Sequence, residues 1–189
     1  MKIFPFAPQA DTHHQIKAGK VLIARKCMND ELLNKSVILL LEHDETGSTG
    51  IILNKCGISS ELEGSKKDEL ICYGGTYDTH RVGVILDTEH LAKRAIKIAE
   101  GIYYSENCSL FQEKNFKQAI HAANLKAYIG FTVWQAGQLE QEIDTNKWWI
   151  DEFSTEDLKT ASIGLWEHRA LKLANKYGLF YNSSEPLLN

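Results

Sequence analysis

The hydrophobic pattern along the chain changes its period twice. Val21-Leu22-Ile23-Ala24 and Val37-Ile38-Leu39-Leu40-Leu41 are short runs without polar alternation. That is how strands covered on both faces read. Ser36 to Glu42 and Gly50-Ile51-Ile52-Leu53-Asn54 flank the polar stretch Asp44-Glu45-Thr46-Gly47-Ser48 and predict a β-hairpin. Cys56 to Glu69 is polar and reads as a surface excursion before a short strand, Leu70-Ile71-Cys72-Tyr73, that ends at Gly74-Gly75. A further strand is expected from Arg81 to Leu86. Ile96, Ile98, Ile102 and Tyr104 fit one half-buried strand bent at Gly101.

From there the pattern turns helical. Phe116, Ile120 and Ala123 share one face of a helix over 113–123. Ala127 to Trp134 is aromatic and β-branched, so a strand is predicted. It breaks at Gly137 and restarts as a short helix with Leu139 and Ile143 on one side and Glu140 in its first turn. Of the following Trp148 and Trp149, one is expected in the core and one as a half-exposed anchor, with a loop after them. Ser154 and Asp157 have the spacing of a capping box. The last helix carries a stripe of Ile163, Trp166, Ala170, Leu173 and Tyr177 and stops at Gly178. Strands precede helices without βαβ alternation, which predicts an α+β fold.

Composition narrows the function classes. The 189 residues are 43% hydrophobic and 24% charged, with a formal net charge of -4. One domain spanning 1–189 is expected, with residues 1–15 a loose arm and 179–189 a tail. Four cysteines, Cys27, Cys56, Cys72 and Cys108, show no CxxC spacing and read as free thiols in a reducing compartment. With no signal peptide and no apolar run of bilayer length, the expectation is a cytoplasmic protein without a membrane. The acidic balance and the scarcity of arginine (Arg25, Arg81, Arg94, Arg169) argue against direct binding of nucleic acid.

Candidate chemistry is sparse. Glu42, His43 and Asp44 offer a base beside carboxylates, but neighbouring strand residues face opposite ways and make no simple dyad. Gln138 and Glu140 open a helix where free N–H groups can meet an anion, against the like charge of Glu140, Glu142 and Asp144. Gly74-Gly75 lacks the rest of a phosphate loop and reads as a tight turn. His13 and His14 are adjacent, share no helix face and have no third ligand nearby. There is no Gly-x-Ser-x-Gly and no His-Glu-x-x-His. No catalytic residue, metal site or cofactor is assigned.

Several of these residues recur together in one family. Leu22-Ile23-Ala24, Glu42-His43, Thr49-Gly50-Ile51-Ile52-Leu53-Asn54-Lys55, Gly74-Gly75, Gly130 with Trp134, Gly137-Gln138-Leu139-Glu140-Gln141-Glu142, Trp148 and Trp166 resemble the AlgH/YqgE family across residues 16–178. The resemblance implies an α+β fold whose mostly antiparallel, bifurcated sheet folds into a pseudo-barrel with helices packed on it. It implies no established activity, cofactor or catalytic residue. Some members carry the label of a transcriptional regulator, linked by name to alginate production. The chain departs from the family pattern at Cys56 and Thr76, where the family has Pro, and at Asp87, near a usual His. A candidate polar cleft follows: Glu42, His43, Asn54, Gly74, Gly75, Gln138 and Glu140. The preferred expectation is a non-enzymatic binding or regulatory protein acting through a protein or small-molecule partner. The alternatives are a DNA-acting transcriptional regulator and an unrecognised hydrolase or transferase.

Overall fold

The computed structural model describes residues 15–25, 30–57, 71–86, 95–106, 125–159 and 162–176. Within them lie nine strands: β1 (Lys20–Ala24), β2 (Val37–Asp44), β3 (Gly47–Ile52), β4 (Ile71–Tyr73), β5 (Tyr77–Leu86), β6 (Ile96–Ala99), β7 (Ile102–Ser105), β8 (Ala127–Gln135) and β9 (Trp148–Glu152). The helices are α1 (Gln138–Asp144), α2 (Thr155–Lys159) and α3 (Leu165–Lys176). The expected helix over 113–123, His13-His14, Cys27, Cys108 and Tyr177 lie outside the described residues.

The sheet runs β6-β7-β5-β8-β3-β2-β1-β9, with β4 joined to β8 off this path. Every pairing is antiparallel except that of β4 with β8. The sheet divides at β8. Its C-terminal half pairs with β3, from Gly50↔Thr132 to Gly47↔Gln135. Its N-terminal half lies between β4 and β5, with Cys72↔Tyr128 on one side and Gly83↔Tyr128 on the other. Partners change at Gly130, which adopts a φ of 73°. A methyl group there would sit 2.5 Å from the Gly75 carbonyl oxygen and 3.0 Å from that of Tyr77, so no side chain fits. The Ile52 N–H donates to Gly74 O at 2.9 Å and stitches the end of β3 to the chain leaving β4. The result is a bifurcated sheet curled into a half-barrel.

Both faces of β1 and β2 are covered, which explains their unbroken apolar sequence. On the inner face Val21, Ile23, Leu39, Leu41 and Ile51 pack with Tyr128 and Phe131 and with Trp166, Ala170 and Leu173 of α3. On the outer face Leu22, Ile38, Leu40 and Ile52 pack with Trp134, Trp148, Ile150 and with Leu139 and Ile143 of α1. The Trp166 indole donates to Ala24 O at 2.7 Å and locks α3 onto β1. Arg169 is buried under α3, where a bare charge is costly. It is matched by Asp157, by Asp151 at 3.0 Å and by the Glu152 carbonyl at 2.9 Å. Asp157 also accepts the Ser154 N–H at 3.0 Å, in the capping position.

Four expectations change. Residues 96–105 form a hairpin, β6 paired antiparallel to β7 around Gly101, because glycine in the left-handed region turns the chain back instead of bending one strand. Trp148 and Trp149 begin β9, which pairs with β1 along five residues; backbone pairing, invisible in side-chain pattern, replaces the expected loop. Ile163 is 86% exposed because Gly164, with φ 98°, breaks the helical period before α3 starts. Cys56 and Cys72 are joined in a disulfide rather than free, because Tyr73 N–H to Lys55 O and Gly57 N–H to Ile71 O place them directly opposite each other across strands. No local spacing motif announces that bridge, since the pairing is made in three dimensions.

Candidate functional site

The hairpin β2–β3 is tighter than its sequence suggests. Its loop is only Glu45-Thr46, and Asp44 pairs with Gly47. The Asp44 carboxylate accepts the Thr46 hydroxyl at 2.6 Å and the Thr46 N–H at 2.8 Å. Those hydrogen bonds, the hydroxyl's first, hold its pKa below the usual carboxylate value. The short turn draws Ser48 out of the loop and into β3, opposite His43.

A β-bulge then decides which way His43 points. Leu40 pairs with Gly50, but the next pair is Glu42 with Thr49, so β2 carries one extra residue. Leu40 packs on the outer face and Leu41 on the inner. The extra residue reverses the alternation beyond it. Glu42 falls in register with Thr49 and Val133, and His43 with Ser48 and Trp134, a side chain of the outer face. His43 thus comes under α1.

On the other side of the site stands α1. Gly137, with φ 76°, turns the chain out of β8. No side chain caps the helix at Gly137, but the Gln138 side-chain oxygen accepts the Gln135 N–H at 3.0 Å and fixes the turn. Leu139 and Ile143 are buried against the sheet. That leaves two carboxylates with different fates. Glu142 Oε2 accepts the indole N–H of Trp134 at 3.0 Å and of Trp148 at 2.8 Å. Its Oε1 accepts Gln138 Nε2 at 3.4 Å and lies 3.7 Å from Lys147 Nζ. The two indoles meet edge to face, with centroids 6.1 Å apart. Glu142 is therefore saturated and holds the corner together. Glu140 is not: its Oε1 lies 3.8 Å from His43 Nε2, beyond hydrogen-bond length. The side chains of His43 and Glu140 are 17% and 29% exposed. The other ring nitrogen, Nδ1, is 2.8 Å from Ser48 Oγ. With Nδ1 accepting that hydroxyl, Nε2 carries a proton toward Glu140; with Nδ1 donating to it, Nε2 is an acceptor open to an incoming donor.

Of the seven residues expected in a cleft, three gather here: His43, Gln138 and Glu140. Glu42 is on the opposite side of its strand. Asn54 lies at the other end of the hairpin, where it accepts the Val37 N–H at 2.9 Å and donates to Lys35 O at 2.8 Å. Gly74 and Gly75 face β8: a Cβ on either would overlap the backbone of Gly130 or Phe131. They permit close passage of two chains and form no phosphate loop. Ser48 and Glu142 were not among the residues singled out. The signal for Ser48 was the Asp-x-Thr-Gly turn chemistry. For Glu142 it was the four-residue step from Gln138 beside two tryptophans. Among the described residues, no group of three or more His, Cys, Asp or Glu side chains is placed to hold a metal ion.

A family model described as AlgH-like matches residues 21–178. The chain belongs to the AlgH-like family. Among its relatives, a UPF0301 protein of Chlorobaculum tepidum is 26% identical over 175 residues, covering 90% of this chain and 94% of that protein. One from Chlamydia abortus is 29% identical over 181 residues, covering 92% and 95%. The fold is shared with solved structures. The crystal structure of a Corynebacterium diphtheriae protein superimposes with a TM-score of 0.63 at 21% identity, over 83% of this chain and 87% of that one. The solution structure of the AlgH protein from Pseudomonas aeruginosa gives 0.60 at 20% identity, over 99% and 100%. At these identities the likeness speaks to fold alone. No helix among the described residues is long and apolar enough to cross a membrane.

Proposed function

We propose that this AlgH-like protein is a non-enzymatic binding or regulatory protein that acts in the cytoplasm, and that its partner is read at the junction of the β2–β3 hairpin with α1. The observation that carries this reading is the contrast between two carboxylates on one helix. Glu142 is consumed by two indoles, whereas Glu140 and His43 face each other at 3.8 Å with spare hydrogen-bonding capacity. At that separation no group enters between them, but one polar group approaching from the side can reach both. Asp44 and Glu45 on the hairpin tip, with Glu140 and Glu142, outweigh Lys147 and His43, so the favoured group is cationic: an amine or guanidinium on a small molecule or a basic protein surface. The same charge disfavours the DNA-acting alternative. The described arginines are also engaged internally: Arg169 in its buried network, Arg25 over the Trp149 ring at 5.2 Å, and Arg81 on Glu106 at 2.7 Å.

One observation favours the hydrolase or transferase reading. Ser48, His43 and Glu140 lie in the order of a serine–histidine–carboxylate chain. Against it, Ser48 is only 4% exposed and sits within a paired strand, where a substrate carbonyl has no approach. Thermal-shift titration of polyamines, arginine derivatives and basic peptides tests the binding reading. The expected result is stabilisation by a cationic probe that disappears in His43→Ala and Glu140→Gln. Cationic probes that bind both variants as well as the parent would overturn the assignment of the site. Ester hydrolysis lost in Ser48→Ala would overturn the non-enzymatic reading.

A further inference from the structure

The disulfide is independent of that site. We propose that Cys56–Cys72 is a site of reversible thiol–disulfide exchange, entered at Cys56 by a dithiol reductant, and that its opening releases β4 from the end of β3. Three observations carry this. The two sulfurs are unequal: Cys72 is buried in the middle of β4, whereas Cys56, just beyond β3, is only partly buried. The Ser162 hydroxyl lies 3.0 Å from Cys56 Sγ, so a hydrogen-bond donor faces the sulfur of the less buried cysteine. The bridge also sits on a short pairing: between the segments that carry the two cysteines, the described backbone bonds are those from Tyr73 N–H to Lys55 O and from Gly57 N–H to Ile71 O. Exchange begins at the sulfur a thiolate can approach, and a donor beside that sulfur stabilises the thiolate it becomes when it is expelled.

The exchange follows from this geometry. A thiolate of the dithiol attacks Cys56 Sγ and forms a mixed disulfide. The Cys56–Cys72 bond breaks, and Cys72 leaves as a thiolate that takes up a proton. The second thiolate of the reductant then attacks the reductant's own sulfur in the mixed disulfide and closes its internal disulfide. Cys56 is expelled as a thiolate, hydrogen-bonded by Ser162, and is protonated in turn. Two electrons and two protons pass from the dithiol to the protein. What changes is the hold on β4, three residues long, which keeps its parallel pairing with β8 but loses its covalent tie across 16 positions of sequence. Gly74 and its bond from the Ile52 N–H follow directly after it.

The test uses the full-length protein purified without reductant. It is treated with dithiothreitol in native buffer, alkylated, and mapped by peptide mass spectrometry so that Cys27 and Cys108 do not enter the reading. Cys56 and Cys72 should become alkylated together without denaturant. Glutathione disulfide should modify Cys56 in Cys72→Ser at least about tenfold faster than Cys72 in Cys56→Ser, following accessibility. Amide exchange at Ile52 and Tyr73 should quicken on reduction, with Leu22 and Leu39 unchanged. Reduction only after unfolding, equal modification of the two cysteines, or unchanged exchange at Tyr73 would each overturn the proposal. So would two cysteines that stay thiols under mild oxidation.

Discussion

Removing the Glu142 carboxylate should destabilise the protein more than removing Glu140, although the two residues lie two positions apart on the same short helix. The reason is what each leaves behind. In Glu142→Ala the indole N–H groups of Trp134 and Trp148, both buried, lose their shared acceptor. A stranded buried donor costs about 1–3 kcal/mol, so two cost about 2–6 kcal/mol together. The 14% exposure of the Glu142 side chain lets some water in and favours the lower half of that range. Glu142→Gln keeps an oxygen where both indoles donate but loses charge assistance and turns its amide NH2 toward Gln138 Nε2 and Lys147, so about 1–2 kcal/mol is expected. Glu140→Gln surrenders a partly exposed contact at 3.8 Å and should fall within about 0.5 kcal/mol of the parent. Urea unfolding followed by tryptophan fluorescence measures all three, and near-ultraviolet circular dichroism reports whether the edge-to-face pair survives. An Ala variant at 142 as stable as the parent, or a Glu140→Gln that costs more than Glu142→Ala, would refute the assignment of structural and open carboxylates.

Other consequences can be measured in the same way. Leu139→Ala, at a fully buried position of α1, should cost about 2–5 kcal/mol in urea unfolding. Gly75→Ala should give little soluble folded protein, since its methyl would overlap the Phe131 backbone and no flexible side chain can yield there; Gly101→Ala, with open space around it, should fold with a loss of about 1 kcal/mol for its left-handed turn. Burial, first, raises the phenol pKa of both Tyr104 and Tyr128 above the ordinary value of 10.0. A raised folded pKa means the native state holds protons that the unfolded state gives up, so stability should fall as pH rises beyond about 10, by up to about 1.4 kcal/mol per pH unit for each phenol. The phenolate ultraviolet band should show these two tyrosines titrating only with unfolding; phenolate appearing at both in the folded protein would contradict their burial.

How much was legible beforehand depended on whether the cause was local. The apolar runs of β1 and β2, the strand–Gly–helix sequence of β8 and α1, and the Ser154–Asp157 cap are written in adjacent residues, and the structure has them. The bifurcated α+β architecture came with the family resemblance, carried by Gly130, Trp134 and the Gly137–Glu142 segment. Errors arose where a distant partner decides. β9 is a strand because β1 lies beside it. Cys56 meets Cys72 because β4 returns along the end of β3. Ile163 loses its place in the stripe because Gly164 resets the phase of α3. The site shows the same division. Gln138 and Glu140 sit where their positions in the first helical turn put them, but Asn54 and the two glycines have backbone partners that no pattern of side chains reveals.

The single extra residue in β2 determines the character of the candidate site. Without the irregularity between Leu40 and Glu42, strict alternation would carry Glu42 to the outer face, beneath α1, and His43 to the inner one. Glu42 would then confront Glu140 with Glu142 close behind, three carboxylates under one short helix. Such a cluster repels itself and holds protons or metal ions rather than a histidine. With the bulge, the same sequence presents a histidine to Glu140, anchored from behind by the Ser48 hydroxyl at 2.8 Å, and sends Glu42 out the other side. Deleting Leu41 removes the extra residue itself: Glu42 stays opposite Thr49 and His43 opposite Ser48, so His43 keeps its place under α1 and only the Leu41 side chain leaves the inner face. The deletion should therefore cost stability, on the order of a core leucine truncation at about 2–5 kcal/mol, while a partner that depends on His43 is still bound; loss of that binding would refute the register argument.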